Sequence, residues 1–316
     1  MGQVFTKKAL KRVDWFGATL LLAASLLLVT ALEEAGIRYP WRSALVITFL
    51  VVSGILWITF VAWEHRVTRA ASAQEPVFPW RFFQSRVRIG MILSTFLVGA
   101  PFTVAVIQIP QRFQAVNGTT PLGAGVRLLP FAFASPVGSF VSSIIAGKAK
   151  VPPIYLILVG AVLQVVGYAL LSTISTGSEI QPAQYGYEVI TGLGVGVNIS
   201  TLILMTPFTI EKRDQSVAMG AVVQFRVMGG AIGLAIVTSV MNSFVKSRLA
   251  EILSADQIEA FLQSISMIGT LPPALAEMVR SVLGEGYNLQ MKVLIGFAAA
   301  QIPAILLMWQ KKQILV

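Results

Sequence analysis

Eight stretches of this chain run close to twenty residues without an acidic side chain: Trp15–Leu32, Ser43–Trp63, Ile89–Gln111, Leu128–Gly147, Val151–Ser178, Val189–Ile210, Val217–Met241 and Val293–Gln310. A bilayer's hydrocarbon core, about 30 Å thick, is crossed by roughly 20 mostly apolar residues of helix. No water reaches that core, so the backbone of each span has to satisfy its own hydrogen bonds, which an α-helix does. The rest of the composition agrees: 55 % of the 316 residues are hydrophobic, 12 % are charged and the mean hydropathy is +0.76. Prolines and glycines inside the runs (Pro101, Pro130, Pro136, Gly160, Gly167) are tolerated where neighbouring helices cover them. A ten-residue alternating pattern of the β-barrel kind is absent. The expectation is an all-α polytopic membrane protein with about eight transmembrane helices.

The net charge of +10 raises the question of nucleic acid, and the distribution of the cations answers it. Fifteen Lys and Arg residues fall in alternate connections: Lys7, Lys8, Lys11, Arg12; Arg66, Arg69, Arg81, Arg86, Arg88; Lys148, Lys150; Lys212, Arg213; Lys311, Lys312. The other connections hold Arg38, Arg42, Arg112, Arg127, Lys246, Arg248, Arg280 and Lys292, the last four in a long loop where such bias counts little. The pattern predicts both termini in the cytoplasm, a lipid bilayer as partner and no nucleic acid. The sequon Asn117-Gly118-Thr119 then falls outside the cell and makes Asn117 a glycosylation candidate. With no cysteine there is no disulfide framework. The basic start, whose first apolar run leads into further spans, reads as a first membrane helix and not a cleaved signal. In the connection 242–291, Ser254 and Gln257 form a capping box before Ile258, Phe261, Leu262 and Ile265, so an amphipathic helix is expected there, and a second from Pro272-Pro273 through Leu275, Met278, Val279 and Val282.

Several segments carry a resemblance. "RVDWFGATLLLAASLLLVTALEEAG" and "WRSALVITFLVVSGILWITFVAWEHR" resemble the two linker helices between the halves of fourteen-span transporters of the major facilitator superfamily. "PVFPWRFFQSR", "IQIPQRFQAVNGTTPLGAGVRLLPF", "GLGVGVN", "VVQFRVMGGAIGLAI" and "YNLQMKVLIGF" resemble successive segments of that family's second half, closest to its fungal drug:proton antiporters. "SSIIAGKAKVPP" retains only Gly147, Lys148 and Lys150 of a short cytoplasmic motif. The resemblance implies a cytoplasmic segment 1–13, linker helices within 14–63 (15–34 and 43–63), a basic loop 64–88 and a six-helix domain 89–316. The six helices fall at 89–110, 123–147, 152–176, 187–209, 217–241 and 292–310, with an extracellular loop at 242–291. It also implies efflux of a small organic molecule, a drug, toxin or secondary metabolite, by proton antiport across the plasma membrane. The six amino-terminal helices of such a transporter are not in this sequence. That leaves a missing or separate amino-terminal half, a homodimer, or an inactive truncated product or non-transporting scaffold as the alternatives.

Chemistry inside the spans is sparse. Arg226 enters roughly 13 Å into its span at 1.5 Å per residue, where insertion costs about 2.5–3.5 kcal/mol, so it should face protein or a wet cavity. Asp14 and Glu188 read as boundary residues, which leaves Arg226 without an acid in these spans. It either lines a cavity between two halves, with Gln224, Asn198, Gln164 and Gln108, or snorkels and anchors packing while those amides join helices. Gly229 with Gly233 and Gly192 with Gly196 are small-xxx-small faces for close helix approach. Neither "GLGVG" nor "GGAIG" follows a strand, so nucleotide binding is not expected. There is one histidine, His65, at the end of a span, no histidine partner for a serine nucleophile, no paired carboxylates within the spans and no metal-ligand cluster. No enzyme, cofactor or metal is expected.

Overall fold

A computed structural model describes residues 14–35, 38–70, 76–78, 80–250 and 271–316. The basic amino-terminal segment and the capping box at Ser254 with its amphipathic helix lie outside the described residues. Among the described residues eight helical spans are long and apolar enough to cross a membrane, and the protein is an all-α polytopic membrane protein. The helices are α1 (Trp15–Glu34), α2 (Ala44–Ala70), α3 (Arg86–Ala115), α4 (Pro121–Arg127), α5 (Leu129–Gly147), α6 (Pro153–Leu171), α7 (Ala183–Thr209), α8 (Gln215–Leu249) and α9 (Pro273–Leu307). The short α4 and α5 break at Leu128 and together make one span.

Local chemistry sets several of the ends. Asp14 accepts from Gly17 N at 2.9 Å and caps α1, and Thr120 accepts from Gly123 N at 3.1 Å and caps α4. Proline opens α4, α5, α6 and α9, where its missing N–H is harmless. Pro101, Pro110, Pro136, Pro207 and Pro303 lie inside helices, as membrane bundles allow.

Successive spans alternate in direction. Trp63 at the end of α2 reaches Asp14 at the start of α1, Arg81 pairs with Asp214, and Arg112 at the end of α3 bonds Ser175 beyond α6. One face of the bundle therefore gathers residues 14, 63–70, 76–78, 80–86, 148–152, 210–214 and 308–316, and the opposite face gathers 115–121 and 172–182. α7 is central, with 61 % of its apolar window buried, whereas α2, at 17 %, is a rim helix whose Ile47, Val51, Ile55 and Ile58 point outward.

Tight crossings join the bundle, two of them built on paired glycines four residues apart. On α7, a Cβ at Gly192 would lie 2.6 Å from the Phe131 carbonyl oxygen, and one at Gly196 would run into the Ser135 carbonyl. On α8, Gly229 sits against the Phe96 carbonyl and Gly233 against Ala100 of α3, while Gly99 of α3 returns the contact on Arg226 O and Gly230 N. Backbone thus meets backbone, and Ser139 Oγ adds a 3.0 Å bond to the Gly196 carbonyl.

The connection expected at 242–291 is shorter than that. α8 continues to Leu249, and the segment read as a second amphipathic helix is the first part of α9, which runs unbroken from Pro273 to Leu307. Polar residues there mark packing and not a helix end: Asn288 donates to the Ile174 carbonyl at 2.7 Å, and Gly284 lies against Thr176.

Two alanine substitutions separate crossing from propensity. Gly196→Ala should destabilise the bundle by about 1–3 kcal/mol or more because the Ser135 backbone has to move. Gly54→Ala, with nothing within 4 Å, should be neutral or stabilising by up to about 1 kcal/mol. Thermal unfolding in detergent reads both.

Candidate functional site

The interior polar groups form a chain of amides. Gln164 of α6 donates to the carbonyls of Gly160 and Gly194, both at 3.2 Å. Its own oxygen accepts from Gln301 Nε2 of α9 at 3.0 Å, and Asn198 Nδ2 of α7 donates to Gln301 Oε1 at 2.7 Å. All three side chains are fully buried. Gln164 and Asn198 therefore do not line a cavity in this conformation; they join α6, α7 and α9 through bonds made inside this bundle, with Asn198 Oδ1 buried and unpartnered. Gln108 is also buried and reaches Thr238 of α8 at 3.5 Å, and Gln224 donates to Ser25 of α1 at 2.9 Å. Those two face neighbouring helices as well.

Arg226 differs from the amides. It is half-buried at the edge of the α3–α8 crossing, where a narrow cleft is lined by Thr95, Val98, Ile199, Leu202, Ile203 and Arg226 itself. Its guanidinium carbon lies 6.0 Å from the centre of the Phe102 ring, a cation–π distance. Among the described residues it makes no ion pair and no hydrogen bond through that guanidinium. The close approach at Gly99, Gly229 and Gly230 places its backbone directly against α3, which fixes where the side chain emerges. The cleft, about 10 Å³, has room for little more than a water molecule in this conformation, so what the geometry shows is an intramembrane cation beside an aromatic ring and not a formed ligand site.

Two other charged clusters were not legible as sites. At one face Arg81 and Asp214 make a bidentate ion pair, and the buried Glu64 accepts from Val77 N at 3.2 Å and Phe78 N at 3.0 Å. At the opposite face Arg112, 4 % exposed, bonds the Ser175 carbonyl at 2.8 Å and Gln184 Oε1 at 3.4 Å, and Gln184 Nε2 contacts Glu188 Oε1 at 3.3 Å. The reading of Glu188 as a boundary residue is corrected: it lies in the second turn of α7 with no exposed surface. The helix starts earlier than the apolar run suggests, at Ala183, because Gln184 and Glu188 are sheltered by α3. Glu64 likewise sits inside α2, which extends past Trp63 to Ala70.

Comparison with known proteins fits this architecture. No protein-family model matches the chain. It is 39 % identical over 97 % of its length to the MFS-type transporter FPY5 of Fusarium mangiferae, and 30 % identical over 93 % of its length to the MFS-type transporter ppz2 of Metarhizium majus. The chain spans 51 % of each of these relatives. In solved structures its fold resembles a bacterial homologue of the human lysosomal transporter Spinster, in an inward-facing, occupied conformation. The TM-score is 0.59 at 15 % identity, over 94 % of this chain and 68 % of that one. The chain belongs to the major facilitator superfamily. Its relatives are transporters and efflux pumps, not enzymes.

Within this superfamily member the sequon asparagine is half-buried, and the Asn117 nitrogen that would carry a glycan donates to the Ser178 carbonyl at 3.0 Å. His65 stacks edge-on against Trp80, with ring centres 4.8 Å apart. The amide chain makes a stability test. Gln301→Leu strands Asn198 Nδ2 and Gln164 Oε1 and should lower unfolding stability by about 1–3 kcal/mol. The double variant Asn198→Leu with Gln301→Leu should cost less than the sum of the two single changes.

Proposed function

We propose that the chain is the carboxy-terminal portion of a fourteen-span exporter that moves a small organic molecule out of the cell in exchange for protons. The observation that carries this reading is Arg226: an intramembrane cation, half-buried on an apolar cleft, with no carboxylate partner among the described residues of its own bundle. In such transporters substrate binds near the midplane between two halves that rock against each other. α1 and α2 are the linker pair in this reading, supported by the rim position of α2, and α3 to α9 are the six-span domain. The missing half would come from a separate chain, from sequence upstream, or from a second copy.

The face that collects Arg66, Arg69, Arg81, Arg86, Arg88, Lys148, Lys150, Lys212, Lys311 and Lys312 is the cytoplasmic one in this proposal, which puts both termini inside, and the export reading takes the plasma membrane as the one crossed. A drug, toxin or secondary metabolite is the cargo class in keeping with relatives named efflux pumps, such as dotC of Dothistroma septosporum, 27 % identical over 93 % of the chain. Asn117 would lie outside the cell and is a glycan acceptor under this topology.

Efflux from cells making the intact transporter tests the role of Arg226. A charge-assisted contact is worth about 1.5–3 kcal/mol, so Arg226→Ala should raise the substrate concentration for half-maximal efflux roughly tenfold or more. Arg226→Lys should recover part of that loss. Unchanged efflux in both variants removes the cavity role. Mapping the 5′ end of the transcript decides the partial-chain question, since six further in-frame spans upstream are expected. If the message begins at Met1 and the purified chain moves no substrate, the inert or scaffold reading stands instead.

A further inference from the structure

Four carboxylates are buried among the described residues: Asp14, Glu64, Glu188 and Asp214. Three are well supplied with donors. Asp14 receives Gly17 N and both contacts of Trp63 Nε1, Glu64 receives two backbone N–H groups, and Asp214 receives the two-pronged Arg81. Glu188 stands apart. Its Oε1 has one long contact, 3.3 Å from Gln184 Nε2, and its buried Oε2 has no partner. A buried ionised carboxylate with so few donors is costly, since each unmade bond carries its desolvation penalty.

The cation that could neutralise it is close and engaged elsewhere. Arg112 gives Nη2 to the Ser175 carbonyl and Nη1 to Gln184 Oε1, and its Nε, also buried, has no partner. Gln184 stands between base and acid, accepting from one and donating to the other. The charged group acting on Glu188 from the helices around it is Arg112 of α3, and Tyr287 of α9 is the further titratable group beside Arg112.

We propose that Glu188 is a proton-exchange site, with Arg112 as the residue that sets its state. In the arrangement seen, Glu188 holds a proton on Oε2. When Arg112 releases the Ser175 carbonyl and turns to the acid, the Oε2–H bond breaks, the proton passes to water at the 172–182 face, and the carboxylate left behind pairs with the guanidinium. Uptake reverses the step, and nothing is oxidised or reduced. Because the Arg112–Ser175 bond ties the end of α3 to the connection after α6, proton release frees that connection and protonation restores it. A two-position side chain of this kind converts a proton into a change of packing.

Infrared spectroscopy of the purified full chain in lipid, across a pH series, tests the site without any transport. Wild type should lose a protonated-carboxyl band as pH rises, and Glu188→Gln should lack that band. Arg112→Gln should move the loss by roughly one pH unit or more toward higher pH, because the cation favouring the ionised acid is gone. If the amide variant fails to insert, Glu188→Asp keeps the acid and must keep a titrating band. A band that is unchanged by Glu188→Gln, or a titration unmoved by Arg112→Gln, overturns the proposal. A second arm rests on the export reading. Glu188→Gln in the intact transporter should retain downhill substrate exchange and lose accumulation driven by a pH gradient, and retained pH-driven accumulation also overturns it. If wild type moves no substrate at all, the export reading fails while the infrared arm still decides the proton site.

Discussion

Everything else in this bundle depends on backbone touching backbone where its helices cross. In lipid, apolar side chains gain little by leaving one hydrocarbon for another, so helices associate through close packing and the few hydrogen bonds that closeness permits. Gly192 and Gly196 let α7 press onto the carbonyls of α5, and Gly99, Gly229 and Gly230 let α3 and α8 press onto each other from both sides. The closeness has a chemical consequence. Gln164 can reach the Gly194 carbonyl across helices because Gly160 and Gly194 leave no side chains in the way.

From that packing follows a division of the polar residues into two kinds. The amides at 108, 164, 198 and 301 are buried and bonded within the bundle, so they contribute to its cohesion and are closed to a passing molecule. The arginines are not alike either. Arg112 is buried and held by Ser175 and Gln184, whereas Arg226 emerges beside Phe102 into a cleft. Residue type would have put all of these in one class; helix rotation separates them.

The spans themselves were legible because a bilayer imposes length and apolarity on every crossing helix, and those are properties of the one-dimensional string. The glycine faces were legible for a similar reason: a four-residue spacing states its own geometry. Helix ends were harder. α2, α8 and α9 run on past their apolar stretches, since Glu64, Lys246, Asn288 and their neighbours are polar residues covered by other parts of the chain or standing beyond the hydrocarbon. The same limit hid Glu188. A run of apolar residues beginning at Val189 places the acid at a boundary, and only α3, folded back through Arg112, shows that the boundary is sheltered protein.

If the chain is part of a coupled exporter, as proposed, Arg226 and Glu188 divide the two demands that such a protein makes. A group that recognises cargo has to be reachable from the side where cargo sits, and a group that stores a proton has to be shielded until the structure changes. α8 presents Arg226 at a narrow cleft with no acid paired to it among the described residues, while α7 and α3 enclose Glu188 with one weak contact and a cation pointed elsewhere. The two sites share α3 and α7: Thr95, Val98 and Ile199 line the cleft, while Arg112 and Glu188 sit at the far ends of the same helices. Since α3 and α8 are locked at Gly99 and Gly229, a shift at the Arg112 end of α3 is taken up at the α3–α7 contact, by moving α3 and α8 together, or by bending α3 at Pro101 and Pro110. Any of these motions alters the cleft beside Arg226, so under the two proposals the shared helices are the physical route by which a proton at Glu188 would bear on a ligand at Arg226.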